Sequence, residues 1–479
     1  MPISVLILLP LAAALAAALV ASQRLRPWIV TLTALIHLLL VLSHIRTPAP
    51  LIDGAMLGLD PLGRLILLVV SLLYTACAFY GIGYFRTHPT WENRIFIVCL
   101  LLFLGAMTLA TAARHLGLLW VAVEATTVVS APLIYFNRNR FSIEATWKYL
   151  LLCSVGIALA MLGIFFVAYA GLAGSGRESL QLDAMLELAP SFSKPWLRAA
   201  FVFLLVGFGT KMGLAPLHSW KPDAYGEAPG LVGGLLSGGL TSVAFLAVLR
   251  VMQIMTAAGE QTLAAQCLLG LGLFSLVLAA VFVIRQRDIK RMLAYSSVEH
   301  MGILAIGVAV GGIATYGAML HVVNNALTKG ALFMSAGNIH RFFGSKRMCE
   351  TQGAISVLPW SAGLFLTGFL AIAGSPPFGP FISEFTILRG IFGSGHGWLG
   401  ISSILLLAVI FVGMSATVMA VALGPPMEEE REKDAINENV MTVASPLVLM
   451  LMVLLLGIYL PDPLRVLLQD AAGLLEVSR

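Results

Sequence analysis

Residues 206–216, with the sequence Val-Gly-Phe-Gly-Thr-Lys-Met-Gly-Leu-Ala-Pro, place a lysine among apolar residues and helix breakers. The apolar side chains are typical of a membrane-spanning helix, and Lys211 at the centre of a bilayer would cost about 2.5–3.5 kcal/mol. Gly209, Gly213 and Pro216 favour a break in that helix. Broken backbone is tolerated at membrane depth only where protein or water satisfies it. The stretch therefore predicts a broken transmembrane helix around Lys211.

The composition of the whole chain agrees with a membrane protein. Of its 479 residues, 59% are hydrophobic and 11% are charged, whereas a soluble domain carries about 25% charged residues. A soluble fold of this length could not hide so much apolar surface, so lipid is the expected solvent. The net charge of +5 comes from cations that cluster in short loops, which argues against nucleic acid binding.

Apolar stretches long enough to cross a bilayer recur along the chain, since a spanning helix needs about 20 residues. They are residues 2–22, 27–45, 61–83, 94–113, 116–136, 145–172, 197–221, 229–254, 262–284, 290–310, 314–341, 356–391, 399–423 and 441–460. The seventh and the twelfth are long and contain helix breakers. The sequence therefore predicts an all-α polytopic membrane protein with about fourteen transmembrane helices, of which helices 7 and 12 are broken.

The distribution of basic residues predicts the orientation. Arginine and lysine are more frequent in the connections that follow odd-numbered spans, which places those connections in the cytoplasm and both termini outside. No positive charge precedes the first apolar stretch, so we expect a retained helix rather than a cleaved signal peptide. The acidic stretch from Glu428 to Glu438 is expected to be a solvated cytoplasmic loop. The predicted location is the inner (plasma) membrane.

The two predicted broken helices occupy corresponding places in two groups of five helices. Helix 7 is the fourth of helices 4–8, and helix 12 is the fourth of helices 9–13. Since five is an odd number, the second repeat must be inverted relative to the first, and such repeats place a transport site at their broken helices. The predicted parts are an N-terminal three-helix segment (1–93), a first repeat (94–255), a second repeat (256–424), and an acidic loop with the last helix and a short tail (425–479).

Ionisable residues lie inside the predicted helices, where each costs free energy. They are Glu124, Lys211, Glu299, His300, Lys329 and Glu384. Any one of them could be a packing ion pair or a side chain that reaches the membrane surface. The set as a whole would cost too much free energy if it served packing alone. It therefore favours a role in proton movement across the bilayer.

The cysteines and histidines do not predict a cofactor. The five cysteines are far apart in the chain, so no disulfide framework, zinc site or iron–sulfur motif can be read from them. A haem or quinone enzyme is an alternative, but His37, His44 and His321 are too scattered to predict axial haem ligands. We expect no cofactor, no metal and no redox centre in this chain.

Four motifs resemble signatures of the antiporter-like subunits of respiratory complex I. They are residues 211–229 (Lys-Met-Gly-Leu-Ala-Pro-Leu-His-Ser-Trp-Lys-Pro-Asp-Ala-Tyr-Gly-Glu-Ala-Pro), 288–302, 321–340 and 374–385. The resemblance covers residues 60–425, in a family that includes multisubunit sodium/proton antiporters and membrane subunits of energy-converting hydrogenases. Within that family, the sequence Ser-Val-Glu-His-Met-Gly at 297–302 resembles the F component of hydrogenase-4 most.

This resemblance implies a proton relay. Glu124 and Lys211 would form the first coupling pair, His218 would line the break of helix 7, Lys329 would be the central relay, and Glu384 the outlet. Glu299, His300 and His321 are expected to belong to the same relay. One departure is Ser242, where many relatives have a lysine, and another is Asn325, where they have a histidine. The step from Lys211 to Lys329 must then use hydroxyls, water or His321.

The resemblance therefore implies a proton-translocating membrane subunit of a redox-driven complex, of the hydrogenase-4 (formate hydrogenlyase) or NADH–quinone dehydrogenase type. Its expected partners are other membrane subunits, a peripheral redox module and lipid. Two alternatives stay open: a sodium/proton antiporter subunit, and a membrane anchor of a hydrogenase module that does not pump. The sequence does not identify the electron donor.

Overall fold

The computed structural model describes residues 3–48, 55–86, 92–425 and 438–476, which are almost entirely helical. The α-helices are α1 (Ser4–Leu19), α2 (Arg26–Arg46), α3 (Pro61–Arg86), α4 (Arg94–Ala112), α5 (Leu116–Ile134), α6 (Arg140–Ser175), α7 (Leu182–Leu188), α8 (Lys194–Met212), α9 (Trp220–Glu227), α10 (Gly230–Gly234), α11 (Thr241–Ala257), α12 (Gln261–Val283), α13 (Ile289–Val310), α14 (Ile313–Phe343), α15 (Ala354–Val357), α16 (Pro359–Ile372), α17 (Gly379–Gly393), α18 (Gly397–Leu423), α19 (Val440–Ile458) and α20 (Asp462–Gly473). The predicted acidic loop lies, but for Glu438, outside the described residues.

Within the described part of the chain, ten helices are long and apolar enough to cross a membrane. They are α2 to α6, the continuous helix Gly230–Ala257, α12, α13, α18 and α19. The other predicted spans coincide with α1, with the pair α8 and α9, with α14, and with the pair α16 and α17. Each of these is short, interrupted or polar. An all-α polytopic membrane protein is thus confirmed. The sequence pattern does not predict the helices α7, α15 and α20, because each is too short to span a bilayer.

Local signals in the sequence explain where several helices begin and end. The side chains of Asn139 and Ser142 form a capping box at the start of α6, and Gly176 ends that helix in the left-handed conformation. Asp288 accepts hydrogen bonds from the backbone amides of Lys290 and Arg291 at the start of α13. These caps fix where α6 and α13, two of the helices that carry the candidate site, begin.

The centre of the bundle is the continuous helix formed by α10, a π-helical turn (Leu235–Leu240) and α11, packed against α14. Gly230 and Gly238 lie so close to α14 that a Cβ atom on them would be 2.6 Å from the Phe333 carbonyl oxygen and 2.9 Å from that of Ala326, respectively. Small residues on one face let transmembrane helices approach each other. The close approach places Lys329 of α14 in the middle of the bundle.

The breaks in helices 7 and 12 are present at the predicted places. The first break lies between α8 and α9, where Gly213 ends α8 with a φ of 81°. Its backbone groups find partners, since Trp220 Nε1 donates to the Thr210 carbonyl oxygen at 2.9 Å and the Ala215 amide donates to Ser275 Oγ at 2.9 Å. The second break lies between α16 and α17, where Gly374 has a φ of 70°.

Candidate functional site

The first group of polar side chains inside the bundle, here called the first cluster, consists of Thr127, Tyr149 and Lys211, which are buried, and Glu124 and Ser154, which are half-buried. Lys211 is fully buried, and its Nζ donates to Thr127 Oγ1 at 2.6 Å and to Tyr149 OH at 2.8 Å. Thr127 Oγ1 in turn donates to Glu124 Oε2 at 3.1 Å, and Ser154 Oγ donates to Glu124 Oε1 at 3.0 Å. Three helices, α5, α6 and α8, supply these groups.

The predicted coupling pair of Glu124 and Lys211 is therefore indirect. The Thr127 hydroxyl lies between the two charges, accepting from the ammonium and donating to the carboxylate. A hydroxyl can accept one proton and release another. The first cluster can thus exchange a proton between lysine and glutamate without a direct ion pair.

The second group, here called the second cluster, consists of Glu299, His300, His321, Lys329 and Glu384, supplied by α13, α14 and α17. His300 Nδ1 lies 3.0 Å from His321 Nε2 and 3.8 Å from Glu384 Oε1. His300 Nε2 lies 3.9 Å from Glu299 Oε2. His300, His321 and Lys329 are fully buried.

Hydrogen bonds around His321 favour one tautomer of each imidazole. When the Ser383 hydroxyl donates to the Pro380 carbonyl oxygen, 2.9 Å from Oγ, His321 Nδ1, which lies 2.9 Å from the same Oγ, is the donor. His321 Nε2 then accepts from His300 Nδ1. This leaves His300 Nε2 as a free acceptor, and it has no hydrogen-bond partner among the described residues. A proton that arrives there would release the Nδ1 proton toward His321 or Glu384.

Lys329 supplies the positive charge of the second cluster. Its Nζ donates to the Leu293 carbonyl oxygen at 3.2 Å. Its charge interacts with Glu299 and with both imidazoles. Buried ammonium and carboxylate groups cost several kcal/mol each unless their environment compensates them. The protonation states of Lys329 and Glu299 therefore set the net charge of the second cluster, and a proton transfer changes it.

Three groups of the second cluster lie close enough together to be considered as ligands of one metal ion. Ligand atoms of His300, His321 and Glu384 all lie within 4.8 Å of one another. Two imidazole nitrogens and a carboxylate oxygen are ligands that zinc uses. The positive charge of Lys329, which acts on both imidazoles, opposes a cation there. The expectation that the chain carries no metal stays a prediction.

His218 lies apart from both clusters. It occupies the break between α8 and α9, with its ring centroid 6.4 Å from that of Phe282 and 6.3 Å from that of Tyr295. Its Nδ1 is buried. It does line the break, as the resemblance implies, but it packs among aromatic rings.

Sequence reasoning missed several polar members of the two clusters. Thr127 follows Glu124 by three positions, so helical periodicity could have placed both on one face of α5. Tyr149, Ser154 and Ser383 lie on other helices, and only the fold brings them to the charges. Ser242 donates its hydroxyl to the Gly238 carbonyl oxygen at 2.5 Å, within its own helix.

The sequence is similar to known membrane subunits. A profile described as NADH:quinone oxidoreductase/Mrp antiporter, transmembrane region, matches residues 113–411. The hydrogenase-4 component F homolog of Methylacidiphilum infernorum (isolate V4) is 36% identical over 323 residues, which are 67% of this chain and 66% of that protein. NADH-quinone oxidoreductase subunit N of Desulforudis audaxviator (strain MP104C) is 32% identical over 364 residues, which are 75% of this chain and 71% of that protein.

A solved structure shows the same fold. A chain of the membrane-bound sulfane sulfur reductase, described as an archaeal respiratory membrane complex, superposes with a TM-score of 0.87. The alignment covers 99% of this chain and 97% of that one at 21% identity. The similarity that the four sequence motifs predict is thus confirmed.

Proposed function

The chain belongs to the NADH:quinone oxidoreductase/Mrp antiporter transmembrane family, and on that premise we propose that it is a proton-translocating membrane subunit of a redox-driven complex. The complex would be of the hydrogenase-4 (formate hydrogenlyase) or NADH–quinone dehydrogenase type. The observation that carries the proposal is the pair of fully buried lysines, Lys211 and Lys329, each set beside a glutamate and hydrogen-bonding groups. Intramembrane charges of this kind mark ion pathways.

The free energy available from a change in pKa is as large as the free energy needed to move a proton against a membrane potential. Moving one charge against 100 mV costs about 2.3 kcal/mol, and one pKa unit corresponds to about 1.36 kcal/mol. A proton carrier must therefore change its pKa by roughly 1.7 units per 100 mV. The approach of an opposite charge changes the pKa of a carboxylate by about 1–3 units. A small movement of Glu124 relative to Lys211 would be enough to load and release one proton.

The proposed path runs across the bundle and then outward. The first cluster receives the proton, Lys329 accepts it, and the paired imidazoles of His300 and His321 carry it to Glu384. A conformational or electrostatic signal from a peripheral redox module drives the change at the Glu124–Lys211 pair. Other membrane subunits and lipid are the proposed neighbours.

The proposed architecture has about fourteen membrane passes, with residues 94–255 and 256–424 as two inverted five-helix repeats. Two features support it: each break lies in the fourth predicted helix of its repeat, and the second helix of each repeat carries a glutamate, Glu124 or Glu299. We further place the chain in the inner membrane with its N-terminus outside.

The proposal is tested with the whole complex, purified and reconstituted into vesicles. Redox-coupled acidification is measured for the native complex, for Lys211→Ala and for Lys148→Ala, a lysine that pairs with Glu144 at the surface. We expect Lys211→Ala to lose at least about 100-fold in proton translocation with normal subunit composition, and Lys148→Ala to lose none. Unchanged translocation by an assembled Lys211→Ala complex would refute the proposal.

The same preparation separates the two alternatives. Transport that requires sodium would identify a sodium/proton antiporter subunit. A membrane anchor that does not pump would be identified by two results together. The native complex would show no redox-coupled acidification, and the Lys211→Ala complex would lose the peripheral module.

A further inference from the structure

A third fully buried lysine lies outside both clusters. Lys221, in the first turn of α9, has no exposed surface. Its Nζ has no hydrogen-bond partner among the described residues, whereas Lys211 and Lys329 each have one or more. Burying an ammonium without hydrogen-bond acceptors costs free energy. Lys221 therefore does not stabilise the fold through its charge, and its presence calls for another role.

The break in helix 7 positions the Lys221 side chain. Its stem crosses Gly213 so closely that a Cβ atom on that glycine would lie 2.5 Å from Lys221 Nζ. Lys221 Nζ therefore lies against the carboxyl end of α8, whose partial negative charge stabilises the protonated form of the side chain when it carries a proton. Lys211, in the last turn of the same helix, precedes Gly213 by two residues.

Lys221 is also the electrostatic neighbour of both clusters. Its charge interacts with Lys329 of the second cluster and with the thiol of Cys153. Cys153 in turn interacts with Lys211 and Glu124 of the first cluster. His218 is another titratable side chain that its charge affects.

The geometry agrees on both sides. Tyr149, which accepts from Lys211 Nζ at 2.8 Å, has its ring centroid 5.1 Å from that of Trp220, the residue before Lys221. On the other side, Lys221 Nζ lies 5.9 Å from the ring centroid of Tyr225, and that ring packs at 5.6 Å against Phe333, one turn after Lys329 in α14.

We propose that Lys221 carries the proton from Lys211 to Lys329, across the gap that Ser242 leaves in the relay. This inference rests on the proposed function. In the step, an N–H bond of the Lys211 ammonium breaks and one forms on the neutral Lys221 amine. The Lys221 ammonium then gives a proton to the neutral Lys329 amine, so Lys221 returns to its starting charge.

Replacement by arginine tests this step, because arginine keeps the positive charge but cannot be deprotonated in a protein. The reconstituted complex is compared as native, Lys221→Arg, Lys221→Met and, as a control at the surface, Lys148→Arg. We expect both Lys221 variants to assemble and to lose about 100-fold in redox-coupled acidification, while Lys148→Arg keeps it. A structural cation would instead survive the change to arginine, so native translocation by Lys221→Arg would overturn the inference.

A second variant keeps the test decisive if Lys221→Arg fails to assemble. Lys221→Met combined with Ser242→Lys returns an ammonium to the centre of the bundle from α11. We expect this double variant to recover at least about one tenth of native acidification, and an assembled double variant that stays inactive would overturn the inference. Lys211→Ala, measured in parallel, separates the two claims: if it also translocates normally, the proposed function itself fails.

Discussion

The two clusters hold their charges in different ways. In the first, the Lys211 ammonium donates to two hydroxyl oxygens and both Glu124 oxygens accept from hydroxyls. In the second, His300 Nε2 and Glu384 Oε1 are buried and have no hydrogen-bond partner among the described residues. Hydrogen bonds to a charged group stabilise its charge, whereas a buried group with a free lone pair can take up a proton. The first cluster is thus suited to storing charge and the second to passing it on.

A buried ion pair elsewhere shows how a structural charge differs from both. Asp60 Oδ1 accepts from Arg250 Nη2 at 2.7 Å and from the Gly63 amide at 2.8 Å, and Arg114 Nη1 lies 3.4 Å from Asp60 Oδ2. Here the carboxylate is surrounded by two guanidinium groups, which stay protonated at any physiological pH. This group ties the start of α3 to α11 and has no means of releasing a proton.

The largest effect is expected from His321→Gln, which interrupts the imidazole pair of the second cluster. Glutamine can replace hydrogen bonds but cannot exchange protons as imidazole does. We expect redox-coupled acidification to fall by about 100-fold. His37→Gln is the matched control, since His37 is equally buried and bonds to Ser71 and Thr108 away from both clusters. Equal losses in the two variants would count against the second cluster as a path.

A smaller effect is expected from Thr127→Val, which removes the hydroxyl between Lys211 and Glu124 and keeps the shape of the side chain. The loss of a hydrogen bond to a charged group costs about 1.5–3 kcal/mol, which corresponds to a decrease of roughly 10- to 100-fold in the transfer rate. The control is Thr126→Val, because the Thr126 hydroxyl bonds to the Val123 carbonyl oxygen of its own helix. If acidification rates of both variants match the native rate, Glu124 and Lys211 do not communicate through Thr127.

The smallest effect is expected from Ser383→Ala, which removes the acceptor of the His321 Nδ1 proton. The His321 side chain then no longer has a preferred tautomer, but both imidazoles remain. We expect a decrease of about 3- to 10-fold in acidification, the value of one neutral hydrogen bond. Ser403→Ala removes a buried hydroxyl that lacks a partner among the described residues and should leave the rate unchanged. A decrease of 100-fold in Ser383→Ala would mean that Ser383 itself carries the proton.

The fold was predictable because a membrane-spanning helix requires a long apolar stretch, which is easily recognised in the sequence. Apolar length predicts the spans, and glycine and proline predict both breaks, since lipid penalises irregular backbone that nothing satisfies. The short helices α7 and α20 do not contain an apolar stretch as long as a membrane span, so this pattern does not predict them. Lys221 could have been found, because it is the last residue of the predicted span 197–221 and the cost argument that selected Lys211 applies there too, but a lysine at the end of a span is expected to reach the membrane surface.

Side-chain partners were less predictable than the charges themselves. Glu124 and Lys211 stand out as charges among apolar residues, but Thr127 and Tyr149 do not, since hydroxyls are common in transmembrane helices. The contact between His300 and His321 depends on how α13 packs against α14. The indirect geometry of the Glu124–Lys211 pair likewise follows from helix packing, which no local pattern in the sequence encodes.

The central claim is that both clusters belong to one proton path, and the proton-to-electron ratio of reconstituted complexes tests it most directly. The ratio is measured for Lys211→Arg, for Lys329→Arg and for the double variant, each with native subunit composition and native electron transfer. One path predicts that each single variant loses the whole contribution of this subunit and that the double variant loses no more. Two separate paths would instead give partial losses that add in the double variant, and that result would contradict the account.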